Sequence, residues 1–156
     1  VSAYFPNGQS PDSEKFAYKL NWLGSLQTWM ASELAQNPRL ALLGDFNIAP
    51  ADEDVHDPKA WEGQNLVSPL ERDAFKSLIG LGLHDSFRMF EQAPKTYSWW
   101  DYRMMGFRRN AGLRIDHILL SDALKEKCSA SSVDKEPRTW EQPSDHAPVI
   151  AQIKKS

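Results

Sequence analysis

The sequence predicts an α/β fold with a mixed sheet, and three observations carry that reading. Phe16, Leu20, Leu23, Met30 and Leu34 recur at helical spacing, which predicts one long amphipathic helix. Leu40 to Leu43 is a short apolar run of the buried-strand kind, and Leu113 to Ser121 is the strongest later strand candidate. Helical and strand-like segments alternate, which points to an α/β architecture with a mixed rather than purely parallel sheet.

Val1 to Phe5 is β-prone and stops at Pro6-Asn7-Gly8, a strong turn signal. Ser10-Pro11 then offers a helix start, and the helix is expected over about 12–36, ended by Asn37-Pro38. Leu40 to Leu43 is closed by Gly44-Asp45-Phe46-Asn47. Residues 48–67 form a long polar stretch with Pro50 and Pro58, of a length usually reserved for sites or short helical turns. Ser68-Pro69-Leu70-Glu71 is a capping box that opens a second helix, expected to run to about Ile79. His84 to Arg88, Thr96 to Trp100 and Ser129 to Val133 are weaker strand candidates. Ala147 to Ile153 is the last strand, with Pro148 tolerable near its start or at an edge.

The chain has 156 residues, 41% of them hydrophobic and 25% charged, which fits one soluble globular domain and excludes a disordered or collagen-like chain. Its apolar runs are too short to cross a bilayer, so no membrane association is expected. One cysteine, Cys128, excludes an internal disulfide and favours an intracellular, cytoplasmic setting. A net charge of −3 argues against a surface coated in basic residues. A local patch remains open: Arg103, Arg108, Arg109 and Arg114 stand beside Trp99, Trp100, Tyr102 and Phe107. They read either as an ordinary solvated loop or as a loop that meets phosphates and stacks aromatics on bases.

Asp45 and Asn47 stand two apart at the C-terminal end of an apolar strand, where α/β proteins often place their sites, yet the same residues commonly form turns. On its strand Asp116 shares a face with Ile118 and Leu120, and a carboxylate among aliphatic side chains needs a partner. That partner is either a structural group, such as Arg114 or a backbone amide, or a histidine that the carboxylate orients. Ser144-Asp145-His146-Ala147-Pro148 supplies such a histidine at the rim of the sheet. His56, His84 and His117 have no comparable setting. No nucleophile elbow, Walker loop, dinucleotide fingerprint or His/Cys zinc spacing occurs, and Cys128 has no evident activating base. Carboxylates, an amide and a histidine suit an oxygen-liganded cation and attack of water on a phosphate ester.

Five motifs occur in an order that resembles a known family. They are Tyr-Phe-Pro-Asn-Gly at Tyr4, Gly-Asp-Phe-Asn at Gly44, Ser-Trp-Trp-Asp-Tyr-Arg at Ser98, Gly-Leu-Arg-Ile-Asp-His at Gly112 and Ser-Asp-His-Ala-Pro at Ser144. Together they are similar to the C-terminal part of the exonuclease III class of abasic-site endonucleases, within the endonuclease/exonuclease/phosphatase superfamily. The likeness runs from residue 1 to about 153. It implies the C-terminal part of a four-layer α/β/β/α sandwich, built on mixed, largely antiparallel sheets.

By this resemblance His146 contacts the scissile phosphate or helps activate water, Asp116 orients it, and Asp45 is the acid/base carboxylate. Asn47 positions the phosphate and the attacking oxygen, with Tyr4 and Asn7 as further phosphate contacts. Asp145 is a secondary metal ligand or a brace for the metal site. Trp99, Leu113 and Ile115 match positions lining a pocket for a base-free sugar, and Arg103 matches a DNA-backbone contact. The implied cofactor is Mg²⁺, with Mn²⁺ as a substitute, and the implied partner is double-stranded DNA with abasic sites or 3′ ends.

The resemblance also implies a preceding portion that supplies an Asn and the principal metal-binding Glu. The chain begins at Val1 without an initiator Met, as though inside a strand. The expectation is therefore a C-terminal portion of one larger domain, weakly active or inactive alone, with a face free for self-association. Two other readings are a superfamily hydrolase acting on phosphoinositides, sphingolipids or RNA, and a non-catalytic DNA-binding or assembly fragment.

Overall fold

The computed structural model describes residues 1–155. Helix α1 (Glu14–Gln36) starts where the Ser13 hydroxyl accepts the Phe16 amide at 3.2 Å, and it ends at Asn37. Strand β1 (Ala41–Asp45) is followed by a short helix α2 (Pro58–Trp61) and by α3 (Pro69–Gly80), capped by Ser68. Then come β2 (Leu83–Asp85), β3 (Trp99–Trp100), β4 (Gly112–Leu113), β5 (Asp116–Ser121), α4 (Asp122–Lys125), β6 (Cys128–Val133) and β7 (Val149–Ile153). The two long helices lie where their periodicity puts them, and α3 begins at its expected cap, but the N-cap of α1 is Ser13 rather than Ser10, so the helix starts after Pro11.

Four strand expectations change, and the simplest is Thr96 to Trp100, which is a strand only at Trp99–Trp100. Leu113 to Ser121 is not one strand: it breaks at Arg114 and Ile115, whose amides bond the Asp54 carbonyl and the Ser98 hydroxyl instead of a ladder. His84 to Arg88 is a strand only at Leu83–Asp85 and then turns into a 3₁₀ segment, Phe87–Met89. Val1 to Phe5 is held beside β1 rather than forming a full strand. The Ala3 and Phe5 amides donate to the Leu43 and Asp45 carbonyls, both at 2.9 Å, with Ser2 opposite Leu43 in parallel register.

The central sheet has the order β1-β5-β2, antiparallel throughout, and the parallel N-terminal segment makes it mixed at its edge. β3–β4 and β6–β7 form two further antiparallel pairs. Side chains alternate across a sheet. Leu42 and Leu119, paired across β1 and β5, therefore face a core shared with Leu23, Met30, Phe75 and Leu78 from α1 and α3. Leu43, Asp45, Asp116 and Ile118 face the other way. Gly44 permits the N-terminal segment to dock: its φ is +140°, and a Cβ there would stand 1.9 Å from the Ala3 carbonyl oxygen.

Two charge networks lie inside this framework. Lys19 sits among the buried residues of α1 and is fully enclosed with Glu71 of α3. Its ammonium donates to Glu71 and to the carbonyls of Asn7 and Asn47. Burial lowers the Lys19 pKa, opposed by Glu71. Removing one member of such a pair strands a charge in the core, which costs about 3–5 kcal/mol. Lys19→Met is therefore expected to lower unfolding free energy by about that amount in denaturant titration, and a loss below about 1 kcal/mol would mean the pair is not enclosed.

The second network centres on Arg114, buried and bonded to Asp54 at 2.7 Å, to Asp85 at 2.7 Å and to His117 Nδ1 at 3.1 Å. Arg114 can only donate, so Nδ1 accepts and the His117 Nε2–H donates to the Ile48 carbonyl at 2.8 Å. Burial and the Arg114 charge push the His117 pKa from 6.5 down to about 4. The unfolded chain then binds the extra proton between those values, so this stabilisation is complete above pH 6.5 and is lost as pH falls through 4. Asp45, raised to about 6, acts oppositely over much of that window. The readout is the difference between wild type and His117→Gln. The stability gap between them is expected to narrow as pH falls from 6.5 to 4, and a gap independent of pH would show that His117 titrates normally.

Candidate active site

The register of β1 against β5 places Asp45 directly opposite Asp116. Both side chains lie on the face away from α1 and α3. The segment leading into β7 brings His146 to them: Trp99 and His146 form an antiparallel bridge, with the Trp100 amide donating to the Asp145 carbonyl and the Ala147 amide to the Ser98 carbonyl. His146 Nδ1 donates to Asp116 Oδ2 at 2.8 Å, and its Nε2 lies 3.6 Å from Asp45 Oδ2. The histidine alternative for the partner of Asp116 is the one observed. Arg114, the structural alternative, is committed to Asp54 and Asp85.

Asp45 and Asp116 are held by different neighbours. Asp45 Oδ1 accepts the Asn47 amide at 2.9 Å. Burial and the Asp116 charge raise the Asp45 pKa from 3.8 to about 6, against the Asn47 amide, His146 and Lys19. Asp116 Oδ2 also accepts the Ser98 hydroxyl at 2.7 Å, and Ser98 Oγ takes the Ile115 and Asp116 amides, each at 3.0 Å. Burial alone would lower the His146 pKa. The hydrogen bond and charge of Asp116, with the charges of Asp45 and Asp145, outweigh it and raise the value.

Asn47 is buried with a left-handed φ of +51°, a conformation that asparagine tolerates better than most residues. Its Nδ2 donates to the Phe5 carbonyl at 2.9 Å, and its Oδ1 accepts from Asn7 Nδ2 at 3.3 Å. Asn65 in turn donates to Asn7 Oδ1 at 3.1 Å. The parallel register that sets Ser2 opposite Leu43 puts Tyr4 beside Asp45, with its side chain 70% exposed. Asp145 Oδ2 accepts the Trp99 indole N–H at 3.0 Å and is not part of the Asp45, Asp116 and His146 cluster.

The loop residues divide. Trp99 pairs with Leu113 across β3 and β4 and is half-buried, whereas Leu113 and Ile115 are enclosed with Ala49, Val55, Leu66 and Val67. Of these three, only Trp99 offers surface. Arg103 is exposed and forks onto Asp101 at 2.7 Å. Arg108 and Arg109 are exposed too, but Arg114 is not in that patch: its two carboxylate partners draw it inside. Tyr102, Met104 and Met105 make the exposed tip of the segment, and both methionines adopt left-handed φ values.

Four contributing residues escaped the sequence reading. Ser98 lies inside a quoted motif but carries no charge to mark it. Lys19 had a signal, because Phe16, Lys19, Leu23 and Leu26 fall on one helical stripe and a lysine there is buried. Glu71 was visible only as a helix cap. Asn65 lies in the irregular stretch, where nothing in the pattern distinguishes it.

Ligand atoms of Asp45, Asp116 and His146 all lie within 4.8 Å of one another. Two carboxylates and an imidazole give an anionic, oxygen-rich donor set that fits a divalent cation, and the ion itself is not identified by it.

The model of the Endonuclease/Exonuclease/phosphatase family matches residues 3–146. Exodeoxyribonuclease III of Haemophilus influenzae is 39% identical over 99% of this chain and 61% of its own length. Among solved structures, a 3′ phosphatase from Neisseria, bound to product DNA hairpin, superposes with a TM-score of 0.96 at 44% identity. An AP endonuclease from Archaeoglobus fulgidus superposes with a TM-score of 0.94 at 34% identity. Both structural matches cover 99% of this chain and 60% of the other. The chain thus spans about 60% of the relatives' length. Among the described residues no helix is long and apolar enough to cross a membrane.

The two carboxylates hold the proton on His146, so removing either charge must release it more easily. Asp116→Asn and Asp45→Asn are both expected to lower the His146 pKa in an NMR titration of the imidazole, Asp116→Asn the more because it also weakens the hydrogen bond. An unmoved titration in Asp45→Asn would mean that Asp45 and His146 are not neighbours in solution.

Proposed function

The chain belongs to the exonuclease III class of the endonuclease/exonuclease/phosphatase family, and on that premise we propose that it serves metal-dependent hydrolysis of phosphate esters in DNA. The proposed substrates are duplexes with abasic sites, cut 5′ to the lesion, and 3′ ends to be trimmed or dephosphorylated. One observation carries the reading: His146 is gripped through Nδ1 by Asp116, while its Nε2 stands 3.6 Å from Asp45. That gap exceeds a hydrogen bond and leaves Nε2 available to a phosphate oxygen between the two groups.

In this reading the attacking water gives its proton to Asp45 as its oxygen bonds to phosphorus. The bond from phosphorus to the 3′ oxygen breaks, and that oxygen is protonated by Asp45 in turn. A carboxylate with a pKa of about 6 is basic enough for the first step and acidic enough for the second near neutral pH. Protonated His146 donates to a non-bridging oxygen, and Asp116 fixes its ring. Asn47, Asn7 and Tyr4 hold the phosphate, Trp99 meets the base-free sugar with Leu113 and Ile115 packed near it, and Arg103 meets the backbone.

Asp45 and Asp116 would hold Mg²⁺, which would supply Lewis-acid stabilisation of the phosphate's charge, while the protonated His146 stays with the phosphate. Asp145 braces the site through Trp99. The same proposal places the remaining layers of an α/β/β/α sandwich, and a further metal carboxylate, in a preceding portion corresponding to the relatives' extra length. Turnover by this chain alone is then expected to be weak.

Binding tests the reading without depending on turnover. This chain should bind a duplex with an abasic analogue at least about tenfold more tightly than an intact duplex or an inositol phosphate. Equal or better binding of the inositol phosphate would overturn the DNA reading in favour of another phosphate ester. In any preparation that cleaves, Asp45→Asn is expected to lower kcat by about 10²–10⁴-fold, and near-normal cleavage would remove Asp45 from the chemistry.

A further inference from the structure

Arg138 lies outside every motif of the site, yet it is buried, and among the described residues it forms no ion pair. A guanidinium taken out of water without a carboxylate is costly and needs compensating contacts. Three aromatic rings of one segment provide them: the Arg138 guanidinium carbon stands 5.8 Å from the Trp100 ring, 5.6 Å from Tyr102 and 4.7 Å from Phe107. Its Nη1 donates to the Ser144 carbonyl at 2.7 Å, and its Nε, also buried, has no partner.

Ser144 begins the tripeptide that ends at His146. The neighbouring carbonyl, that of Pro143, accepts the Tyr102 hydroxyl at 2.7 Å. Two successive carbonyls are thus held from the aromatic segment, one through Arg138 and one directly. Beyond them the Trp100 amide donates to the Asp145 carbonyl, and the Trp99 indole N–H donates to the Asp145 carboxylate. Residues 143–146 therefore lie pinned along the segment 99–102.

We propose that Arg138, with Tyr102, is a positioning residue for His146: it clamps the Pro143–Ser144 backbone to the Trp100–Phe107 aromatic segment, so that the His146 ring is set by the same segment that presents Tyr102 and Met104 to solvent. Arg138 touches no reacting group. It acts by fixing where the loop leaves the 3₁₀ turn at Glu136–Thr139 and enters the site. A planar fork suits this task, because it stacks on rings while donating in its own plane, which a lysine cannot do. The consequence for turnover rests on the proposed function, whereas the geometric claim does not.

The test is heteronuclear NMR of this chain with Arg138→Lys and Tyr102→Phe. The first keeps the charge in the aromatic cage, and the second removes a single exposed hydroxyl, so both keep the fold. In each variant the amides of β1, β2 and β5 are expected to stay in place. The Ser144, Asp145 and His146 amides, the Trp99 indole N–H and the His146 ring resonances should shift or broaden, more in Arg138→Lys. Shifts confined to residues near each substitution, with His146 and the Trp99 indole unmoved, would overturn the proposal. In a cleaving preparation Arg138→Lys should lower kcat by about tenfold with KM little changed. If wild type binds the abasic duplex no better than an inositol phosphate while the NMR shifts appear, the functional reading fails and the clamp stands.

Discussion

Two carboxylates directly opposite one another on adjacent antiparallel strands repel, and the site depends on how this chain makes that arrangement unavoidable. The register of β1 and β5 is fixed on the other face, where Leu42 and Leu119 pair and are fully buried. Slipping either strand by one residue would turn the leucines outward and the carboxylates into the core. Burying a leucine side chain contributes about 1.5–3 kcal/mol, so the hydrophobic face dictates what the polar face must tolerate. Asp45 and Asp116 are then held together with nowhere to relax. The raised Asp45 pKa and the raised His146 pKa are two expressions of that confinement.

The framework around them is built to keep other charges quiet. Arg114 interrupts what would have been one strand and turns inward to Asp54, Asp85 and a neutral His117. The Ile115 carbonyl still accepts the Phe46 amide in the β1–β5 register, while the break frees two amides for Ser98. Ser98 can then aim its proton at Asp116. On the opposite side Lys19 braces the carbonyls of Asn7 and Asn47, and its own charge is neutralised by Glu71. Asn47 needs this support, since a left-handed backbone persists only where its surroundings over-determine it. Buried salt bridges are weak evidence for stability, and here both networks do something more specific: they hold backbone atoms next to the site.

Much of this was legible in the residues. Helix α1 follows from its periodicity, though its cap is Ser13 and not Ser10, helix α3 from its capping box, and strand β1 from one apolar run. Asp116 announced its need for a partner by sitting among aliphatic positions, and His146 is that partner. The interruption at Arg114 was illegible, because it arises from Asp54 and Asp85, distant in sequence and placed by the fold. The same holds for Leu113 and Ile115: strand alternation gives each a face, but only the packing of residues 49–67 against them decides that the face is closed. Ser98 and Asn65 are small polar residues whose contribution is geometric. Local pattern carries no information about a hydroxyl that happens to meet two amides and a carboxylate.

His146 reaches Asp45 and Asp116 from a loop, and the loop's placement explains why a motif of three consecutive polar residues can serve one site. In a regular strand Asp145 and His146 would face opposite sides. Here the backbone of 145–147 pairs with β3, so its direction is fixed by hydrogen bonds to Ser98 and Trp100. The Asp145 carboxylate bonds the Trp99 indole while the His146 ring turns to the carboxylates. Trp99, the half-buried aromatic of the β3–β4 ribbon, and His146, the group that meets the two carboxylates, therefore share one ladder. A displacement of that ribbon is carried to the imidazole, because Trp99 and His146 are direct partners across the bridge.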